Sequence, residues 1–318
     1  MPGLLKCLWT IMKVHKKFWQ APFIHTLHQT SVIPLVQPDI HETVSKPKVA
    51  LIAGAAHGGT TIPNMILGQH PAIFATGKLR DFPHGDIFTD RNICSCGEPV
   101  PACPFWKEVR IRFAAYEDKP DQIKIPILFS LISELSGRPF TGDVTHNTGY
   151  AELLHGIRDI DLYLIHVVRD GRGVVYSGIR RDYRAGLLSR YDLRHMRKVI
   201  KLSRRWAEQI TKLSRLERQL GAKAVRIQYE DLCKDPRTAL KPVGVCLGLD
   251  FDAIGEALGN GQPFQQIPHL LRGNIKLRTS ANIVLRQDKA YLTDMNRLDR
   301  GIFHLISRMP AFSSIRRS

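Results

Sequence analysis

Residues 49–69 restrict the possible folds more than any other part of the sequence. The apolar run Val49–Ala53 predicts a buried strand, and Thr61–Gln69 predicts a helix that tolerates a proline in its first turn. The residues between them read GAAHGGTT, which follows the phosphate-loop pattern G-x-x-x-x-G-K-[ST] except that Thr60 replaces the lysine. We predict an anion site here, with a tight turn that binds nothing as the alternative. Its contacts would come from His57, Gly58, Gly59, Thr60 and Thr61.

The missing lysine limits the kind of anion that this loop serves. In loops that bind nucleoside triphosphates, the lysine reaches the β- and γ-phosphates, and the hydroxyl after it holds Mg²⁺. Without that lysine a triphosphate is poorly neutralised, whereas a single phosphate-like group at the 5′ end of a ligand needs less charge. The sequence therefore favours a ligand with a single phosphate-like group at its 5′ end over a nucleoside triphosphate.

Apolar strands and helices alternate after the loop, and this alternation predicts the fold. Strands are predicted at 73–75, 162–168 and 224–228, and helices at 170–184, 190–220 and 238–247. Residues 77–108 are predicted to be a cysteine-bearing loop. Continuous apolar strands between helices are typical of a parallel sheet that is buried on both faces. The predicted fold class is therefore α/β, with a phosphate-loop-like parallel sheet flanked by helices on both faces.

The first 47 residues differ from the rest of the chain. Residues 1–20 predict a helix with apolar side chains on one side and four lysines on the other. Residues 21–47 carry four prolines and no clear period, which predicts an extended arm. We therefore separate an N-terminal helix and arm (1–47) from a single catalytic domain (48–318). The helix either packs on a protein surface, as most such helices do, or lies at a membrane surface.

The composition of the chain limits which partners it can bind and where in the cell we expect it. A net charge of +17 and a pI near 9.8 favour anionic partners. Nucleic acid is not predicted, because aromatic residues are not interleaved with the basic ones of helix 190–220. We expect no transmembrane helix and no secretory signal. Six cysteines do not suggest a disulfide scaffold, so we expect a cytoplasmic protein, with membrane association through residues 1–20 as the alternative.

Five segments resemble the sulfotransferases that use 3′-phosphoadenosine 5′-phosphosulfate (PAPS). The loop, followed by His70-Pro71, is similar to their G-x-x-R-S-G-T-T, helix and H-P. LIHVVRDGRGVVYS (Leu164–Ser177) resembles their strand, R-D-P-R and helix. The stretches 92–106 (NICSCGEPVPACPFW), 225–236 (VRIQYEDLCKDP) and 269–278 (HLLRGNIKLR) resemble three further segments, the first of them seen in bacterial members. The resemblance extends over about residues 48–300.

The resemblance implies a function and a donor site. It implies transfer of a sulfuryl group from PAPS, the co-substrate, to an acceptor hydroxyl or amine, leaving 3′,5′-ADP. The loop residues His57 to Thr61 match those that hold the 5′-phosphosulfate, and Arg169 and Ser177 match the pair that holds the 3′-phosphate. A guanidinium and a hydroxyl suit phosphate oxygens. The alternative is that Arg169 merely pairs with Asp170.

Three positions depart from the family's pattern, and they concern catalysis. His57 stands where the family has arginine or lysine, Lys78 stands at the place of a candidate glutamate base, and Asp143–His146 replaces D-S-S-K. A protonated His57 would supply charge or act as an acid. We predict Asp81 as the general base in place of residue 78, and we interpret His84 as a solvated surface residue.

The departures leave rival interpretations open. One is a pseudoenzyme that binds PAPS or its product without turnover. Another is a small-molecule kinase, since the strand that ends at Asp170 resembles a magnesium-binding strand. The acceptor class stays open among small molecules, carbohydrates and lipid-linked groups. No metal is predicted, because the sulfuryl group that moves carries one negative charge and needs a metal clamp less. For Cys94, Cys96 and Cys103 we expect a structural loop, with zinc as the alternative, since the spacing C-x-C-x₆-C is unusual for zinc and no fourth ligand is obvious.

Overall fold

The computed structural model describes residues 45–187, 193–273 and 282–309. The predicted N-terminal helix and nearly all of the arm lie outside the described residues, so the predictions on them stay predictions. The described helices include none that combines the length and the apolar character needed to cross a bilayer.

A five-stranded parallel sheet forms the centre of the domain. Its strands are β1 (Lys48–Gly54), β2 (Ile73–Gly77), β3 (Phe140–Thr145), β4 (Asp161–Val168) and β5 (Ala224–Gln228). Their order across the sheet is β2-β3-β1-β4-β5, and every neighbouring pair is parallel. A short antiparallel pair, β6 (Phe264–Gln265) and β7 (Asn282–Ile283), lies apart from it.

Helices connect the strands. Before β4 they are α1 (Thr61–Leu67), α2 (Pro104–Phe113), α3 (Asp121–Ser136) and α4 (Thr148–Gly156). After it come α5 (Gly171–Arg184), α6 (Leu193–Leu220), α7 (Tyr229–Lys234), α8 (Pro236–Leu247), α9 (Asp252–Gly259), α10 (Ala290–Asp294) and α11 (Arg297–Ser307). Short 3₁₀ turns occupy Phe82–His84, Ala114–Tyr116 and Gly221–Lys223.

Strand β1 shows why the sheet is covered on both faces. Successive side chains of a strand point to opposite faces. Val49 and Leu51 are fully buried in one apolar cluster, which includes side chains of α2, α3 and α4. Ala50 and Ile52 are equally buried in a second cluster, which includes side chains of α1 and α8. The continuous apolar sequence of β1 therefore reflects two cores, as a central parallel strand requires.

The predicted fold class is confirmed, with three local corrections. Strand β2 continues to Gly77, and the loop predicted for 77–108 contains the start of α2 at Pro104. Strand β3 was not predicted, because Gly142 and Asp143 interrupt its apolar character. Asp143 is nevertheless fully buried, since hydrogen bonds with the protein replace those with water.

Candidate functional site

Parallel strands end at the same edge of the sheet, and that edge gathers the candidate residues. Two neighbouring regions lie there. We call residues 54–61, Arg169 and Ser177 the loop cluster. We call the second region the basic cavity, a space of about 480 Å³. It is lined by Lys78, Arg80, Asp81, Val144, Thr145, His146, Asn147, Thr148, Arg205, Glu208, Gln209, Lys212 and Arg272.

The backbone of the loop cluster turns tightly after β1. The N–H of Gly58 donates to the carbonyl of Ala55 at 2.8 Å, and φ is positive at His57 (67°) and Gly59 (85°). A positive φ is uncommon for a residue with a side chain, and such conformations often mark ligand sites. The N–H groups of His57, Gly59, Thr60 and Thr61 donate to no acceptor among the described residues. They are therefore available to an anion.

Position 59 requires glycine because the ring of Tyr229 packs closely against it. A Cβ at this position would lie 2.7 Å from the tyrosine ring, and the positive φ adds a second reason for glycine. The same ring lies 4.9 Å from the guanidinium carbon of Arg169. Tyr229 therefore supports both the loop and the arginine.

Arg169 is buried and fastened to the loop. One terminal nitrogen donates to the carbonyl of His57 at 3.0 Å, and the other donates to the carbonyl of Asp288 at 3.3 Å. Its Nε has no hydrogen-bond partner among the described residues. A Cβ at Gly173 would lie 3.2 Å from that Nε, so the glycine leaves space there. A buried N–H without a partner is rare and fits a phosphate oxygen.

Asp170 does not pair with Arg169, although such a pair was the alternative to phosphate binding by this arginine. Its carboxylate accepts from the backbone N–H of Arg172 at 2.9 Å and caps helix α5. The same carboxylate also accepts from the side chains of Arg172 and Tyr291. These bonds leave Asp170 with little capacity for a magnesium ion.

Helix α5 passes close to the loop at Gly178. A Cβ at Gly178 would lie 3.5 Å from Cδ2 of His57, so the imidazole faces this turn of the helix. Ser177 precedes Gly178 in the same helix and is half-buried. The structure brings His57 and Arg169 together through the bond to the carbonyl of His57. Their roles toward a ligand stay predictions.

The surroundings of His57 disfavour the protonated form that catalysis by this residue would use. Burial lowers its pKa below the ordinary value of 6.5, and the charges of Arg181, Arg169 and Lys198 lower it further, while Asp182 raises it. In the protein without ligand, His57 is therefore neutral near pH 7. A bound anion would oppose these effects and raise the pKa again.

The basic cavity adjoins the loop cluster through His146, which sequence reasoning did not select. The Nδ1 of His146 lies 3.1 Å from the carbonyl of Gly54, and Gln209 donates to the backbone carbonyl of His146. A bond from Nδ1–H to a carbonyl leaves Nε2 as a proton acceptor. Burial, together with the charge of Lys78, lowers the pKa of His146 to about 4. The only sequence signal was its place at the end of the segment that matches D-S-S-K.

Asp81 lines the basic cavity, but its environment makes it a weak base. Burial would raise its pKa, yet hydrogen bonds and charges from Arg80 and Arg272 outweigh burial and lower it. The carboxylate accepts from Nε of Arg80 at 2.7 Å and from a terminal nitrogen of Arg272. The role of Asp81 as general base stays a prediction, and Nε2 of His146 is a second proton acceptor in the cavity, without an ion pair among the described residues.

The remaining departures from the family's pattern lie at the same edge. The pKa of Lys78 is lowered by burial and by the charges of Arg272 and Arg80. Burial raises the pKa of Asp143 to about 7, although its oxygens accept from the N–H groups of Leu79 and Val144. Perturbed pKa values that cluster in a cleft are typical of functional sites.

The cysteine segment has a fourth neighbour, contrary to the sequence-based expectation. The sulfurs of Cys94, Cys96 and Cys103 and a ring nitrogen of His269 all lie within 4.8 Å of one another. His269 is distant in the sequence, so the spacing of the cysteines alone did not indicate it. The expectation that the three cysteines lack a fourth ligand is therefore wrong, whereas the prediction that the reaction needs no metal stays a prediction.

A parallel α/β sheet with an anion-type loop after its central strand defines the phosphate-loop-like class. Within that class, residues 129–253 match the model of the sulfotransferase family. This match confirms the resemblance that the sequence motifs indicated.

One solved structure supports the fold. The chain is similar to a sulfotransferase domain from the curacin biosynthetic pathway, with 18% identity and a TM-score of 0.52 over 82% of this chain and 98% of that one. It is also similar to a mouse sulfotransferase complexed with PAP, with 13% identity and a TM-score of 0.48 over 85% of this chain and 88% of that one. No curated protein gives a significant match.

Proposed function

We propose that the protein is a PAPS-dependent sulfotransferase. The observation that carries this proposal is the adjacency of two complementary groups of residues. A loop without the triphosphate lysine is fastened to a buried Arg169 whose Nε lacks a partner among the described residues. Next to it, His146 presents a proton acceptor in a cavity of about 480 Å³. The first group suits a donor nucleotide and the second suits an acceptor.

The loop cluster would hold the donor. The N–H groups of residues 57 and 59–61 would bind the 5′-phosphosulfate, since they have no acceptor among the described residues. Arg169 and Ser177 would bind the 3′-phosphate, and the free Nε supplies one charged hydrogen bond. PAPS supplies the sulfuryl group, and these residues orient it.

His146 would act as the general base. Its Nε2 takes the proton from the acceptor hydroxyl or amine while a new bond forms between that atom and sulfur. The bond from sulfur to the bridging phosphate oxygen breaks, and 3′,5′-ADP leaves. Lys78 and the basic wall of the cavity stabilise the negative charge that develops on the leaving oxygen. His57 contributes to this charge when a bound anion has raised its pKa.

The charge of the basic cavity favours an anionic acceptor. Five lysines and arginines line it, against two carboxylates, and Asp81 is already paired with Arg80 and Arg272. Arg205 and Lys212 are exposed residues of α6, so this basic helix contributes to the cavity. We propose an acceptor that carries an acidic group close to the hydroxyl or amine that is sulfated, such as an acidic carbohydrate or a lipid-linked group.

Turnover with PAPS tests the proposal against its rivals. Release of 3′,5′-ADP would be followed with a panel of acidic and neutral carbohydrates and lipid headgroups. We expect release that depends on an acidic acceptor and that His146→Ala lowers at least about 100-fold. Tight binding of 3′,5′-ADP without release for any acceptor would instead favour the pseudoenzyme. Phosphoryl transfer from ATP and Mg²⁺ would favour the kinase, which the bonds of Asp170 make less suitable.

Membrane contact through residues 1–20 is proposed on sequence grounds only. Four lysines on one side would meet anionic headgroups, and the apolar side would reach the acyl boundary. We expect the full-length chain to float with anionic vesicles and to be released by salt. A chain that begins at Lys48 should stay behind, and equal behaviour of both would contradict the idea.

A further inference from the structure

Four side chains that can bind a metal converge beside the sheet, outside the proposed catalytic residues. They come from two separate segments, the cysteine segment at 94–103 and His269. Cys94 and Cys103 are buried, Cys96 is exposed and His269 is half-buried. We propose that Cys94, Cys96, Cys103 and His269 form a structural zinc site.

The distances agree with tetrahedral zinc. A Zn–S bond of about 2.3 Å and a tetrahedral angle place two sulfurs about 3.8 Å apart, and a sulfur and a nitrogen about 3.5 Å apart. Cys103 Sγ lies 3.6 Å from the sulfurs of both Cys94 and Cys96. It lies 3.2 Å from Nδ1 of His269. Three sulfurs and one nitrogen close the coordination shell, as in structural rather than catalytic zinc sites.

The cysteine segment folds into a tight turn that presents two of the ligands. The N–H of Cys94 donates to Glu98 at 2.8 Å, and the N–H of Gly97 donates back to Cys94 at 3.0 Å. Gly97 has a φ of 97°, which only glycine adopts readily. Cys103 is the residue immediately before α2, so the start of this helix fixes the position of the third sulfur.

The fourth ligand is held in place by the protein. The carbonyl of His269 accepts from the indole nitrogen of Trp106 at 2.7 Å, and the imidazole stacks on Phe105 at 5.3 Å. His269 has a positive φ of 59°, an uncommon conformation for a residue with a side chain. Its orientation toward the sulfurs is therefore set by the fold, and binding of zinc explains why this conformation is retained.

Ser95 ties the two segments together. Its hydroxyl donates to the carbonyl of Ile267 and accepts from the N–H of Leu270, each at 2.7 Å. Its own N–H donates to the carbonyl of Leu270 at 3.2 Å. These bonds explain why a serine separates the two cysteines, and they preorganise the site before the metal binds.

The proposed metal would fasten one wall of the basic cavity. Two residues after His269, Leu271 pairs with the end of β2 through bonds to Thr76 and Lys78. Arg272 follows and bonds to Asp81 in the cavity. Zinc bound to His269 would therefore restrain the position of Arg272 through the chain between them. The metal would have a structural role, and the residues of the basic cavity would carry out catalysis.

Metal analysis of the untagged full-length protein tests the site. Protein purified under reducing conditions without chelator should carry one zinc per chain, as measured by inductively coupled plasma mass spectrometry. Loss of a ligand should weaken zinc binding at least about tenfold, since even changes around a ligand weaken it 10- to 100-fold. Cys96→Ser and His269→Ala should therefore lose zinc. Cys246→Ser, which changes a cysteine outside the cluster, should keep it.

Cobalt gives a second measurement that does not depend on the stability of a variant. Protein stripped of zinc and reloaded with Co²⁺ should show thiolate-to-metal charge transfer and the visible bands of a tetrahedral site. Those bands should be lost in Cys96→Ser and retained in Cys246→Ser. The proposal would be overturned if the purified protein held no metal and an alkylating reagent modified these cysteines readily. A disulfide between Cys103 and Cys94 or Cys96 would overturn it as well.

Discussion

The loop cluster and the basic cavity lie side by side, but they are built differently. The loop cluster comes mainly from two continuous motifs, and it offers backbone N–H groups and one buried guanidinium. The basic cavity is assembled from four distant parts of the chain, residues 78–81, 144–148, 205–212 and 272. The proposed donor site can therefore be recognised from local sequence, whereas the proposed acceptor site depends on tertiary structure.

The two regions also treat charge differently. In the loop cluster, the guanidinium of Arg169 lies against a loop carbonyl, an aromatic ring and the carboxylate of Asp288 at 3.6 Å. At the basic cavity, the pKa values of Lys78 and His146 are lowered and that of Asp143 is raised. Each of these shifts favours the neutral form of the group. Changes in the loop cluster should thus alter affinity, and changes in the cavity should alter turnover and pH dependence.

The largest effect is expected from His146→Ala. Loss of a general base lowers turnover about 100- to 10,000-fold. The affinity for 3′,5′-ADP should change little, because the loop cluster is intact. His155→Ala, which changes an exposed histidine of α4, is the matched control. Similar turnover in the His146 variant and its control would remove this residue from the mechanism.

The pH profile provides a further check on His146. The base acts when neutral, and burial and Lys78 lower its pKa to about 4. Activity should therefore be lost as the pH falls through about 4, with no loss from this group near 6.5. An acid limb near 6.5 would show that another group, or a less buried His146, accepts the proton.

A smaller effect is expected from Arg169→Ala in the loop cluster. A charged hydrogen bond contributes about 1.5–3 kcal/mol, so affinity for 3′,5′-ADP should fall about 10- to 150-fold. The affinity for 5′-AMP should change much less. Arg204→Ala, on the exposed side of α6, serves as the control, and titration calorimetry measures both nucleotides. Equal losses for the two nucleotides would show that Arg169 supports the loop without binding the 3′-phosphate.

His57 should produce a moderate pH dependence of donor binding. Burial and Arg181 lower its pKa in the free protein, and a bound phosphate raises it. Binding thus gains free energy below the pKa of the free state, and the gain is lost as the pH rises through the pKa of the bound state. A difference of one unit between the two pKa values corresponds to about tenfold in affinity. His57→Arg should make the affinity independent of pH, and an unchanged profile would contradict this role.

The smallest effect concerns stability and belongs to the basic cavity. Burial raises the pKa of Asp143 to about 7 in the folded protein. The protonated form is therefore favoured by folding, so stability falls as the pH rises from the ordinary carboxyl value of 3.8 to about 7, by at most about 1.4 kcal/mol per pH unit, and this group contributes no further change above that. Asp143→Asn should flatten this fall in thermal unfolding. If the wild type and Asp143→Asn show the same change in stability between about pH 5 and 7, the raised pKa of Asp143 is contradicted.

The sequence predicted the fold because its signals were local. Val49–Ala53 and Leu162–Val168 are continuous apolar runs, and the loop between β1 and α1 has a known pattern. Strand β3 was missed because Gly142 and Asp143 hide its period, and Asp143 is stabilised by bonds that only the fold supplies.

The site was predicted in part for the same reason. His57 and Arg169 lie in recognisable motifs, and the structure brings them into contact. Asp81 was chosen by position; its pKa is lowered mainly by the neighbouring Arg80 and further by Arg272, which is 191 residues away and which the sequence did not indicate. His146 and His269 have partners distant in sequence, so no spacing rule could select them.

The central claim is that the loop cluster recognises a nucleotide with a 3′-phosphate. Isothermal titration of the wild-type protein with 3′,5′-ADP and with 5′-AMP measures this most directly. One charged contact to the 3′-phosphate corresponds to at least about tenfold in affinity, so we predict that 3′,5′-ADP binds at least tenfold more tightly. Equal affinity for the two nucleotides, or tight binding of neither, would contradict the assignment of Arg169 and Ser177 and with it the proposed use of PAPS.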